Sequence, residues 1–299
     1  MSTNITKSQL KKLLKEEFKR RLKERADPAG VDPNRFPTKL SQVKADPEDA
    51  RRDATGGTAD GAQPDDVIGV TPNYTAPVAQ LKPSQSSMNI AKAMAQALSM
   101  LAGKMDTGGD LGAFISNDGH IMDGHHRWVA TAMVDPSKEV GGYLVDFPGT
   151  QLIAILNAIT VGRLGNPDGK AGKGGFEQFQ PEPILRQLTE YYQNGIPGKF
   201  PWSPEEVQQT VHEHGGGEGE QAIRALAGRF AKNVTALKFE VPPGAPARPD
   251  MPVIDGDKAI KTAVGALAGG EVDVNEPYAD QQEVAEAKTY DRWKELIKG

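Results

Sequence analysis

Residues 113–133 constrain the fold more than any other stretch, because one short run carries the marks of four consecutive elements. Ala113-Phe114-Ile115-Ser116 is apolar and strand-like, and Asn117-Asp118-Gly119 follows it. An Asn/Asp-Gly pair between apolar segments is a strong hairpin signal. Ile121-Met122 is then the returning strand. Asp123 is placed to cap a helix that begins at Gly124 or His125 and turns Trp128, Val129, Ala132 and Met133 to one face. The first turn of such a helix presents unpaired N–H groups and the positive end of its dipole, a natural seat for an anion. Gly124 lets a ligand approach the backbone, Arg127 offers a planar guanidinium, and His125 and His126 add two possible donors.

The same residues carry a resemblance. Gly124, Arg127 and Ala130 match the Gly-x-x-Arg-x-x-Ala signature of the ParB/sulfiredoxin superfamily. Upstream, Val78-Ala79-Gln80-Leu81-Lys82-Pro83-Ser84-Gln85 resembles that family's opening segment, a strand ending in Leu-x-Pro-Ser-Gln. The resemblance covers roughly residues 66–150. It implies a small mixed domain that binds ATP or CTP with Mg²⁺, with Ser84, Gln85, Gly124, His125, His126 and Arg127 on the ligand. Relatives hydrolyse the nucleotide, phosphorylate small molecules or cut nucleic acid. Sulfiredoxin chemistry is excluded, since this chain has Gly-His-His where that enzyme has a cysteine, and it contains no cysteine at all. Turnover needs a base or metal near the transferred phosphate. Asp123, His126 and His120 are the catalytic candidates, with Asp118 nearby, and no spacing chooses between them. A blander reading keeps Asp123 as a cap, leaves His125 and His126 solvated and pairs Arg127 with a local carboxylate.

Beyond the motif, the composition is lean in apolar residues (37% hydrophobic, 6% aromatic) and rich in Gly (33) and Pro (22). A modest core with long irregular segments is expected. Residues 1–26 read as a basic amphipathic helix, with nine Lys or Arg against three Glu in the first 25 positions. It suits a protein partner or, by its charge, nucleic acid. Its opening is similar to the start of structural and assembly proteins of tailed phages. Residues 27–65 read as a linker or arm, 66–164 as the mixed domain, 165–240 as a Gly-rich loop and helical appendage, and 241–299 as an extended C-terminal arm with a final helix. The fold class is thus α+β, a ParB/sulfiredoxin-like domain with appendage and arms.

Within the domain, strands are expected at residues 67–70, 78–81 and 142–147, and helices at 89–103 and 150–159. Gly169 to Lys173 lacks the order of a phosphate-binding P-loop and the strand before it, and reads better as a mobile loop near an anionic ligand. Appendage helices are expected at 183–194, 203–214 and 218–234, the second opened by a Ser203–Glu206 capping box. His212 and His214 do not share a helix face and read as partners of the helix end more than as metal ligands. No metal site is expected. A net charge of −5 argues against bulk nucleic-acid binding, and no run of 18 apolar residues suggests a membrane span. Host cytoplasm or virion is the expected setting. Two functions compete. One is a nucleotide- or phosphate-binding protein, including an NTPase, small-molecule kinase or nuclease. The other is a virion or assembly protein whose arms bind itself or other phage structural proteins.

Overall fold

The computed structural model describes residues 25–59, 63–165, 168–170, 174–198 and 201–275. The expected N-terminal helix, apart from residues 25 and 26, and the expected final helix lie outside them.

In chain order the helices are α1 (Leu40–Val43), α2 (Pro47–Thr55), α3 (Ile90–Leu101), α4 (His125–Val134), α5 (Gly149–Gly162), α6 (Pro181–Asn194), α7 (Pro204–Gly215), α8 (Gly219–Val234) and α9 (Asp257–Ala268). The strands are β1 (Val70–Pro77), β2 (Lys82–Pro83), β3 (Gly109–Ser116), β4 (His120–Ile121) and β5 (Glu139–Val145). The class is α+β. The five strands form one mixed sheet in the order β1-β5-β3-β4-β2. β1 runs antiparallel to β5, β5 parallel to β3, β3 antiparallel to β4 and β4 parallel to β2.

Period-two alternation makes this sheet two-faced. Phe114, Met122 and Val145 point to one core, Ile115, Ile121 and Val140 to the other. α3, α4 and the α6–α8 appendage cover the second face, and α5 with α9 covers the first. Gly141 and Gly142 let β5 fit between its neighbours: a Cβ there would lie 2.0 Å from the Tyr74 carbonyl oxygen or 2.1 Å from that of Ala113.

The expected strand–turn–strand–helix is present. The Asn117-Asp118-Gly119 turn joins β3 to β4, and α4 follows at His125. Helices α3, α5, α6, α7 and α8 fall within a few residues of expectation, and the Ser203–Glu206 capping box forms in both directions. Other boundaries need correction. The strand expected at 67–70 starts at Val70 and runs on through Pro77, and residues 78–80 form a 3₁₀ turn. β1 continues through Pro72 because it is an edge strand, where proline is tolerated. Its register shifts between Thr71 and Tyr74, with Asn73 at φ 56°.

The linker expected at 27–65 is also corrected where it is described. Asp46 caps α2, with Pro47 in the first turn, and the helix lies on α5. The contact is made by small residues: a Cβ on Gly162 would meet the Ala50 carbonyl oxygen at 2.3 Å and the Ala54 Cβ at 2.8 Å. Likewise, the described part of the C-terminal arm folds back. Met251, Ile254, Val272 and Val274 are buried in the core beneath α5 and α9. Among the described residues, no helix is long and apolar enough to cross a membrane.

Candidate functional site

Gly124 is the N-cap of α4 and sits at φ 79°, a conformation that strongly favours glycine. Asp123 does not cap the helix in the usual way. Its Oδ1 accepts from the adjacent Gly124 N–H at 2.7 Å, and no side chain caps the first turn. The amides of His125, His126 and Arg127 are therefore left to whatever lies beyond the helix end.

The upstream segment lies beside the motif, as expected, because β2 pairs with β4 in parallel. The roles of the individual residues differ from expectation. His125 is fully buried as a cross-link: Ser84 N–H donates to its Nε2 at 3.1 Å, and the Ile121 carbonyl accepts from the ring. Ser84 Oγ also donates to the Ile121 carbonyl, at 2.6 Å. Both residues thus join β2, β4 and α4, and neither presents a group to a ligand. Burial, the largest cause, lowers the His125 pKa to about 4.

Arg127 requires the largest correction. Its Nη1 donates to the Asp110 carbonyl at 2.8 Å and its Nη2 to the Gly108 carbonyl at 2.9 Å. The guanidinium clamps the irregular start of β3, away from the helix end. It pairs with backbone carbonyls, so the alternative of a carboxylate partner does not hold either. His120 is also elsewhere. It packs on Gly149 at the start of α5, with Nδ1 3.1 Å from Asp118 Oδ1. It is not among the residues lining the cleft beside Asp123. Asp118 serves the hairpin and α5, accepting from Ser116 Oγ at 2.5 Å and Gly149 N–H at 3.0 Å.

Three residues that the sequence did not single out converge on the helix end. Arg248 comes from residues 246–255, which cross over the site. Lys170 comes from the Gly/Lys loop expected near an anion, and Lys92 from the first turn of α3. With Gln85, Met122, Asp123 and Met251, Arg248 and Lys170 line a cleft with about 250 Å³ of empty space, mouth included. Lys170 Nζ lies 2.6 Å from Asp255 and 3.6 Å from Asp123. Arg248 and Lys92 have no carboxylate partner among the described residues. Gln85 is 2% exposed, and its Nε2 is buried with no acceptor.

His126 shows the consequence of this crowding. Asn89 N–H points at its Nε2 from 3.2 Å, and an Arg248 N–H points at its Nδ1 from 3.2 Å. A neutral imidazole has one acceptor nitrogen, so it can satisfy only one of these donors. Burial first, then the Arg248 and Lys92 charges, lowers its pKa to about 2. Partial burial, with Arg248 and Lys170 beside it, also holds the Lys92 ammonium below the usual lysine range. The site therefore has surplus donors and surplus positive charge, and too few acceptors.

Two larger clefts flank α2. One of them, about 940 Å³ with its open mouth, is lined by Glu48, Asp49, Arg51, Arg52, Thr55, Gly56 and Ala59. Two acids, Glu48 and Asp49, face two bases, Arg51 and Arg52, so this lining shows no surplus of either charge. Among the described residues no group of three or more His, Cys, Asp or Glu is arranged to hold a metal. His212 meets Tyr192 Oη at 2.8 Å, and His214 meets the Leu101 carbonyl at 3.0 Å. No match is found to known families, to curated proteins or to solved structures.

Proposed function

We propose that this chain binds a phosphate-bearing ligand at the N-terminal end of α4, through Arg248, Lys170, Lys92 and Gln85. One observation carries the reading. A buried amide donor without an acceptor, on Gln85, faces a cleft that also holds an arginine without a carboxylate partner. Leaving such groups unpaired costs free energy, and an oxyanion supplies the missing acceptors and charge. The resemblance to the ParB/sulfiredoxin superfamily supports the same location, with ATP or CTP and Mg²⁺ as the ligands it implies. The residues differ from that pattern, since Arg248 stands where Arg127 was expected.

Binding is the activity proposed, and no turnover is derived. His126 is held neutral at ordinary pH and between two donors, a poor start for general acid–base work. Asp123 is occupied by Gly124 N–H and Lys170. The phage setting, and a nucleic-acid or protein partner for residues 1–26, rest on the sequence resemblance alone.

Isothermal titration with inorganic phosphate, ATP, CTP and ADP, with and without Mg²⁺, tests the reading. Heat from at least one phosphate compound, lost in Arg248→Ala, is the expected result. Silence from all of them removes the proposal.

A further inference from the structure

We infer that residues 270–275 form a strap fastened by a proton on Asp66: the neutral acid holds the strap to the body, and ionisation of the acid loosens it. This goes beyond the anion site and does not depend on it.

The strap follows α9 and returns to the early part of the chain. Gly57 N–H donates to the Glu271 carbonyl at 3.3 Å, and Asp273 N–H to the Asp53 carbonyl at 2.8 Å. Val272 and Val274 are buried in the core. Asp66 ends a 3₁₀ turn over Gln63–Asp66 and closes the set. Its Oδ1 accepts from Val274 N–H at 2.5 Å and from Asn275 N–H at 3.2 Å.

The second oxygen of this carboxyl group lacks a donor. Asp66 is 1% exposed, and its Oδ2 is buried without a hydrogen-bond partner. A Cβ on Gly57 would lie 2.7 Å from Oδ2, 2.6 Å from the Gly270 carbonyl oxygen and 2.8 Å from that of Val272. Three oxygens therefore converge beside one glycine, and all of them are acceptors when Asp66 is ionised. Burying a negative oxygen against carbonyl oxygens, with no donor to meet it, is costly. A proton on Oδ2 makes it a donor and supplies what the set lacks.

The surrounding charges favour the same form. Asp65 lies on the same turn, Glu271 and Asp273 lie on the strap, and Asp53 and Arg35 come from residues 27–59. Arg35 is shared by Asp53 and Asp273, at 3.0 and 3.1 Å, and Arg163 at the end of α5 pairs with Glu271. Among the described residues no cation pairs with Asp66. Burial first, with the Asp273 and Asp65 charges adding to it against the two backbone N–H groups, raises its pKa to about 7.

Hydrogen exchange of the full chain at pH 6 and pH 8, corrected for intrinsic rates, tests the strap. Residues 270–275 should exchange ahead of α3 at both values, and their protection should fall by about tenfold from the lower to the higher. Asp66→Asn keeps the Oδ1 acceptor and places an amide donor at the Oδ2 position, so its protection should stay within about twofold across the same range. Unchanged protection in the parent protein overturns the proposal, even if the variant fails to fold. So does exchange of the strap in step with α3, which would mean that the chain opens only as a whole. A variant that follows the parent's pH dependence would move the switch to another group. Protection restored at pH 8 by millimolar Ca²⁺, in the parent and not in the variant, would give the three oxygens to a metal ion and overturn the proton's role.

Discussion

At the residue scale, Arg127 turns away from the α4 start, where its sequence position suggests it belongs, and Arg248 lies beside that start instead. Arg127 holds two backbone carbonyls at the start of β3, a structural duty. Arg127→Ala should lower stability by about 1–3 kcal/mol, read as a shift in denaturant midpoint, and leave phosphate affinity within about twofold. A tenfold loss of affinity with an unchanged midpoint would return Arg127 to the ligand site. The two motif histidines predict an acid sensitivity. Both have pKa values lowered from 6.5, to about 4 for His125 and about 2 for His126, so the folded state binds fewer protons than the unfolded chain. Their contribution is therefore full above pH 6.5 and is lost as pH falls below it. His126→Gln should flatten the fall in melting temperature between pH 6.5 and 4. An identical slope in the variant would refute the assignment.

At the element scale, small residues and buried acids set the packing. α2 lies on α5 because Gly162, Ala50 and Ala54 allow backbone approach. Gly162→Val should separate the two helices and cost about 2–4 kcal/mol in an unfolding experiment, and a cost below 0.5 kcal/mol would mean that the contact gives way easily. Asp66 ties residues 274 and 275 to the body, its Oδ1 accepting from both backbone N–H groups. Burial, the main cause, raises its pKa from 3.8 to about 7. The folded state here binds the proton more tightly, so stability is full below pH 3.8 and declines as pH rises to 7. Asp66→Asn keeps the acceptor and removes the charge. Relative to the parent protein, it should gain stability, on the order of 3 kcal/mol, between pH 5 and 8. Equal pH dependence of the two proteins would sink this.

At the scale of the whole molecule, the segments expected to be arms close the structure where they are described. Residues 27–59 cover α5, and residues 241–275, α9 included, run back past the α4 start and pack against α5, so early and late parts of the chain meet. Asp27 N–H donates to Asn275 Oδ1 at 2.7 Å, and Arg35 reaches both Asp53 and Asp273. Hydrogen exchange should therefore show residues 246–255 protected with the body, and more strongly when phosphate is present. Exchange there at unstructured rates, with or without phosphate, would argue against this closure.

The chain's local chemistry determined the hairpin, the helix at His125, the capping box at Ser203 and most helix boundaries, because turn residues, caps and apolar spacing act within a few residues of themselves. It also marked the Gly/Lys loop for the motif's neighbourhood, and Lys170 does lie 3.6 Å from Asp123. It did not reveal how far the edge strand β1 runs beyond Val70, through Pro72 to Pro77, or the packing of α2, whose contact residues are too small to form an apolar stripe. Only the tertiary structure placed Arg248, 124 residues beyond Gly124, against the start of α4, and turned Arg127 away from it. The direction in which a long side chain points is set by the acceptors and space around it, and here the deciding carbonyls, at Gly108 and Asp110, become neighbours only after the chain has folded.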